Sequence, residues 1–205
     1  TLTDPSYAGQ IVVQTAPHIG NTGMNKKDEE SDRIWVSGYV VRDLSRVVSN
    51  HRSESSLSAD LTKDNIPGIS GLDTRALTLH LRDRGVMRAG IFTGDKALAP
   101  IETLITEIKA SQEMKGRSLS AEVSTQQPYT VGHDGKYVGK VAILDLGIKR
   151  STIENMVARG LDVEVLPASS SFEALTAAKP DAVFYSNGPG DPETATAQVE
   201  TLQQV

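Results

Sequence analysis

Between Val141 and Ser186, short apolar blocks alternate with helix-length amphipathic stretches, and this rhythm restricts the fold more than any other feature of the chain. Val141–Leu146 is a nearly continuous apolar run, as expected of a strand buried on both faces. A turn follows at Gly147–Arg150. Ser151 and Glu154 then stand in capping-box spacing at the head of a helix whose apolar face is Ile153, Met156 and Val157 and which Gly160 ends. Val163–Leu166 reads as the next strand, Phe172–Ala178 as the next helix and Ala182–Ser186 as a third strand. Right-handed crossovers turn such a β-α-β-α-β run into an open parallel sheet. Beyond it, Asp191 as N-cap and Pro192 at the first helical position start a final helix carrying Ala195, Val199 and Leu202.

The first half is less regular. Gln10–Thr15, Ile34–Val41 and Val86–Phe92 read as strands, and Gly20–Asp32 as a polar loop. Ser53–Lys63 reads as a short helix with Leu57 and Leu61 on one face. Asp73–Arg84 reads as a helix capped by Asp73 and stopped by Gly85. In Ile101–Lys109 the residues Ile101, Leu104, Ile105 and Ile108 share a face, and Pro100 suits the first turn. From Ser118 to Gly139 no period survives, which points to a linker. The expected fold class is therefore α/β. A mixed α/β domain spans 1–120, a linker 121–138, and a parallel-sheet domain starts at 139 and runs to 205.

Parallel sheets of this kind bind ligands at the carboxyl ends of their strands, where Asn187-Gly188-Pro189-Gly190-Asp191-Pro192 lies. Gly188 and Gly190 let the backbone approach a ligand closely, and Pro189 stiffens the turn between them. The N–H groups of the following helix would face the same spot. The loop is then either a site for a carboxylate, a phosphate or a developing oxyanion, or simply a turn that ends a strand.

Ser186–Pro192 resembles the oxyanion loop of class I, triad-type glutamine amidotransferases. Ala142–Lys149 resembles the first strand and turn of that domain in the small subunit of carbamoyl-phosphate synthetases. Leu2-Thr3-Asp4-Pro5-Ser6-Tyr7, Pro17-His18-Ile19-Gly20-Asn21 and Gly71-Leu72-Asp73-Thr74-Arg75 are similar to that subunit's amino-terminal domain. The resemblance implies a flavodoxin-like glutaminase domain, truncated here, that releases ammonia from L-glutamine. It also implies a heterodimer with a large subunit, which makes carbamoyl phosphate from bicarbonate and ATP for pyrimidine and arginine biosynthesis. ATP and magnesium would be bound by that large subunit, and no cofactor by this chain. Gly188 and Gly190 would hold the glutamine. The family's catalytic Cys, His and Glu are expected beyond Val205, so no catalytic residue is expected within the chain, which alone should be inactive. The alternative is a non-catalytic α/β module that binds a phosphate or nucleotide at Gly188–Gly190.

Composition narrows the rest. The chain has 205 residues and no cysteine, which removes disulfides, thiolate metal sites and cysteine nucleophiles together. Its net charge of −5 argues against nucleic acid as a partner. No apolar run approaches the ~18 residues of a membrane helix, so a cytoplasmic chain without a membrane partner is expected. His18, His51, His80 and His133 are too scattered for a metal site; His18 should bond locally. Asp145 could serve a site but more simply fixes the Gly147 turn. Asp73 and Arg75 read as a helix cap and a surface or interface ion pair, and Asp4–Tyr7 as a plain turn.

Overall fold

The computed structural model describes Thr1–Val205. It divides into two compact units, one of Gln10–Glu113 with Leu2, the other of Met114–Val205 with Thr1 and Thr3–Gly9. This division differs from the expected 1–120, 121–138 and 139–205. The stretch read as a linker is built into the second unit, where it contributes the buried residues Val123 and Ser124.

The first unit contains β1 (Ile11–Val13), β2 (His18–Ile19), β3 (Gly38–Val40), β4 (Asp43–Leu44), α1 (Leu57–Lys63), β5 (Gly68–Ile69), α2 (Thr74–Arg84) and α3 (Ile101–Ala110). β1, β3 and β5 form a parallel sheet in that order, and β2 pairs in parallel with β4. Ser56 caps α1, and Leu57 and Leu61 are the residues it buries. Asp73 caps α2 by accepting from the Ala76 N–H at 3.0 Å. Gly85, at φ +85°, ends that helix in a backbone region that suits glycine.

One expectation fails in this unit. Val86–Phe92 forms no strand: Val86 is 97% exposed, and no ladder partner lies alongside. Its course is set instead by Arg88, whose guanidinium donates to the carbonyls of Lys109 (2.7 Å) and Ser111 (3.1 Å) at the end of α3. On α3 itself, Leu104 is buried while Ile101 and Ile105 are exposed, so half of the apolar face faces outward.

The second unit contains α4 (Ser120–Val123), β6 (Tyr129–Val131), β7 (Gly139–Asp145), α5 (Arg150–Val157), β8 (Leu161–Pro167), α6 (Phe172–Ala177), β9 (Ala182–Tyr185) and α7 (Thr196–Leu202). The strand order is β6-β8-β7-β9. β7 runs parallel to β8 and β9, and β6 is antiparallel to β8. The parallel part thus has the second-first-third order of a flavodoxin-like sheet. β6, formed from the supposed linker, makes the sheet mixed and covers the outer edge of β8.

β7 is central because alternate residues feed opposite cores. Val141 and Ile143 pack with Ile153, Val157, Val163 and Val165 beneath α5. Ala142 and Leu144 pack with Leu166 and Leu175 beneath α6. Each fully buried aliphatic side chain of this kind stabilises the fold by about 1.5–3 kcal/mol. Ser171 caps α6.

Two local expectations are corrected. α5 begins at Arg150, with Lys149 in the cap position and no side-chain cap bond, so Ser151 lies inside the helix rather than capping it. The final helix is split. Asp191 caps a single 3-10 turn, Pro192–Thr194, and α7 follows only from Thr196. The Ala195 N–H bonds to the Pro192 carbonyl three residues back, and the Thr194 hydroxyl donates to the Asp191 carbonyl, which tightens the turn before a long helix can begin. No helix is long and apolar enough to cross a membrane.

Candidate functional site

In a second-first-third sheet the two crossovers leave on opposite faces, so a crevice opens where the first and third strands end. Here those ends are Asp145–Ile148 after β7 and Ser186–Asp191 after β9. Both are held by short-range chemistry that can be followed atom by atom.

Asp145 is 5% exposed. One carboxylate oxygen accepts from the Gly147 and Ile148 N–H groups, both at 2.9 Å. The other accepts from the Thr125 N–H at 2.7 Å. The carboxylate therefore braces the Gly147 turn, as its simpler reading held. Gly147 has φ +125°, a conformation that a side chain disfavours.

The second loop is tied to this turn at several points. The buried Ser186 hydroxyl accepts from the Leu146 N–H (2.9 Å) and donates to the Asn187 carbonyl (2.8 Å). The Asn187 side-chain amide donates to the Gly147 carbonyl (3.0 Å) and to the Ser6 hydroxyl (2.6 Å). Gly188 lies directly over Leu146, and any Cβ there would collide with the Leu146 carbonyl oxygen. Gly190, at φ +92°, leaves a Cβ only 2.6 Å from the Arg117 carbonyl. Both glycines are thus required by close backbone approach within the chain, quite apart from any ligand. Gly188 is exposed, and neither the Gly188 nor the Gly190 N–H donates within the chain.

Asp191 closes the loop. It accepts from the Gly116 N–H (2.8 Å) and the Glu193 N–H (3.0 Å), and its own N–H donates to the Arg117 carbonyl (2.9 Å). The Gly116 bond first, then the Glu193 bond, hold its carboxyl below the usual carboxylate range. This use of the turn's leading N–H by Asp191, together with the split helix, weakens the expected helix-dipole contribution to anion binding. A cation does come near: the Lys149 ammonium, two residues beyond Gly147, lies 3.4 Å from the Asp4 carboxylate, which offsets its charge.

The remaining conspicuous residues do not converge on this crevice. His18 bonds across the β2–β4 pair to Asp43 at 2.7 Å, a local role as expected. His133 bonds to Asp162 at 2.7 Å and packs edge-on against Tyr137. His51 and His80 are exposed. Asp73 faces Arg42 at 4.0 Å rather than Arg75. No three His, Asp or Glu side chains gather as a metal site.

Sequence reasoning placed Gly188 and Gly190 on one loop but missed the residues that hold it: Ser6, Gly116, Arg117 and Thr125. Ser6 was read as part of a plain turn, and the others lay in or beside a stretch without periodicity. The one local signal was Asn187, inside the motif itself.

Comparison with known proteins bears on the whole chain. Residues 1–91 match the family model described as carbamoyl-phosphate synthase small chain, CPSase domain, and residues 142–205 match glutamine amidotransferase class-I. The whole chain aligns with the carbamoyl phosphate synthase small chain of Streptomyces coelicolor at 55% identity, covering 54% of that protein. The small chains of Bifidobacterium longum (53% identity, 53% covered) and Mycobacterium tuberculosis (52% identity, 56% covered) also align over all of this chain. The chain spans about half the length of the curated relatives it matches. From its first residues to the crevice between β7 and β9, the chain belongs to the family of carbamoyl phosphate synthase small chains.

Proposed function

We propose that this chain provides the glutamine-holding loop of a glutaminase that passes ammonia to a large synthetase subunit. That subunit binds ATP and magnesium and makes carbamoyl phosphate from bicarbonate, in the cytoplasm, for pyrimidine and arginine biosynthesis. Gly188 and Gly190 hold L-glutamine. The observation that carries the reading is the pair of exposed-loop N–H groups, at Gly188 and Gly190, that donate to no group of the chain while the backbone around them is tied down.

When a nucleophile attacks the glutamine carboxamide, negative charge develops on its carbonyl oxygen. N–H groups already in place stabilise that charge without reorganising, and one such donor is typically worth about two to three powers of ten in rate. No side chain of residues 1–205 is assigned the nucleophile or the general base, since the chain has no cysteine. These 205 residues alone are therefore expected to release no ammonia from glutamine.

A substitution at Gly188 would disturb the loop through Leu146 as well as through the substrate, so ligand binding is the cleaner test. In a protein of full family length carrying these residues, saturating L-glutamine should shift the Gly188 and Gly190 amide resonances, and inorganic phosphate should not. A response to phosphate and none to glutamine would favour the phosphate-binding module instead.

A further inference from the structure

The Gly188 N–H does not stand alone. It belongs to the planar peptide unit that joins Asn187 to Gly188, and in a trans peptide the carbonyl and the N–H point in opposite directions. The carbonyl of that unit accepts from the Ser186 hydroxyl at 2.8 Å. That hydroxyl is buried and is itself fixed by the Leu146 N–H at the end of β7. The direction of the Gly188 N–H is therefore dictated from the far side of its own peptide plane.

The residue at the head of that plane is gripped as well, through its side chain. The Asn187 amide nitrogen donates to the Gly147 carbonyl at 3.0 Å and the Ser6 hydroxyl at 2.6 Å. A carbonyl can only accept, so the Gly147 bond fixes which end of the Asn187 amide faces the turn. Both acceptors are anchored in their turn. Gly147 sits in the loop braced by Asp145. Ser6 sits on a short turn whose buried Asp4 accepts from the Ser6 N–H at 3.0 Å and reaches Lys149 with its other oxygen.

We propose that Asn187 is a positioning residue for the glutaminase reaction. Its side chain ties the head of the Asn187–Gly188 peptide to the β7 turn and to the amino-terminal segment, and so keeps the Gly188 N–H aimed into the crevice. This inference rests on the proposed function, in which Gly188 is a donor to the developing oxyanion. Asn187 acts through that peptide and needs no contact with the substrate.

The test uses a protein of full family length carrying these residues, assembled with its large subunit. Glutamine hydrolysis and ammonia-dependent synthesis of carbamoyl phosphate are measured side by side. Asn187→Ala should lower kcat for glutamine about tenfold and leave KM within about twofold, because preset geometry matters most in the transition state. Asn187→Asp keeps the shape but loses both donors, and should fall at least as far. Ser6→Ala removes one of two acceptors and should cost about threefold, roughly the worth of one neutral hydrogen bond. Combined with Asn187→Ala it should add little, since both act through one contact. Ammonia-dependent synthesis should be unchanged throughout.

A raised KM with kcat intact would overturn the inference, because Asn187 would then be gripping substrate. Equal loss of the ammonia-dependent rate would overturn it in favour of a structural role, and so would unchanged glutamine kinetics in both Asn187 variants. If the unsubstituted complex hydrolysed no glutamine, the proposed function would fail and this inference with it. Failure of the inference alone is distinguished by an active parent and an indifferent Asn187.

Discussion

β7 and the segment Val86–Phe92 look alike as sequences, each a short run rich in apolar residues, yet only one is a strand. β7 has ladder partners on both sides and helices over both faces, and Ile143 and Leu144 are wholly buried. Val86–Phe92 has no ladder partner, and Val86 projects almost fully into solvent. The difference teaches that an apolar run becomes a strand when something else in the chain completes its hydrogen bonds and covers it. β7 gets this from two crossover connections with the right period. Val86–Phe92 follows a helix stop at Gly85 and finds no ladder; the Arg88 side chain fastens it to the end of α3, and only Ile91 and Phe92, at its far end, are half-buried.

The contrast can be broken by measurement, most strongly at the core. Ile143→Ala should cost about 3–4 kcal/mol, the usual loss for a large-to-small change at a packed site, read as a lower denaturant midpoint. A cost below about 1 kcal/mol would mean that the cores on β7 are loose. Asp145→Ala should come next, at about 2–3 kcal/mol, because three N–H groups lose their acceptor. Gly188→Ala should cost about 1–3 kcal/mol through overpacking against the Leu146 carbonyl, and a neutral result would show that the loop yields.

A smaller effect is tied to pH. The folded pKa of Asp191 is lowered from 3.8 by its backbone donors. Its contribution is therefore fully present above the unfolded pKa and is lost only as pH falls through the lower folded value. Carboxyl-carbon NMR should show Asp191 titrating below 3.8, with the Gly116 amide moving in step. Titration at or above that value would mean that the bonds to Gly116 and Glu193 are not kept. The smallest effect belongs to Val86→Ala, expected within about 0.5 kcal/mol. A large loss there would show that Val86 is packed after all.

What could be read in advance follows from the same distinction. The parallel sheet was legible because β7, β8 and β9 announce themselves by local period, with α5 and α6 between them. The Gly188–Gly190 loop was legible because its residues are contiguous. β6 was hidden because Tyr129–Val131 is three residues long and depends on β8 for its pairing. The brace from Thr125 to Asp145, the clasp from Gly116 to Asp191 and the bond from Ser6 to Asn187 were hidden because their partners lie 20, 75 and 181 positions apart. No periodicity spans such distances. The break at Ala195 was missed for a different reason: Asp191 and Pro192 start a 3-10 turn as readily as a helix.

The separation between Ser6 and Asn187 also has a consequence for how the molecule is made. Chain emerges from the ribosome at about 5–20 residues per second, and domains tend to close as they appear. Gln10–Glu113 is contiguous apart from Leu2 and can form while synthesis continues. Thr3–Gly9 is made before Gln10–Glu113, yet its unit cannot close until β9 and the loop after it have emerged. The earliest residues of this region are thus among the last to find their place. Synthesis that stops between Glu113 and Asn187 would leave Gln10–Glu113 made and Thr3–Gly9 without its partner loop, exposed to chaperones and proteases while it waits.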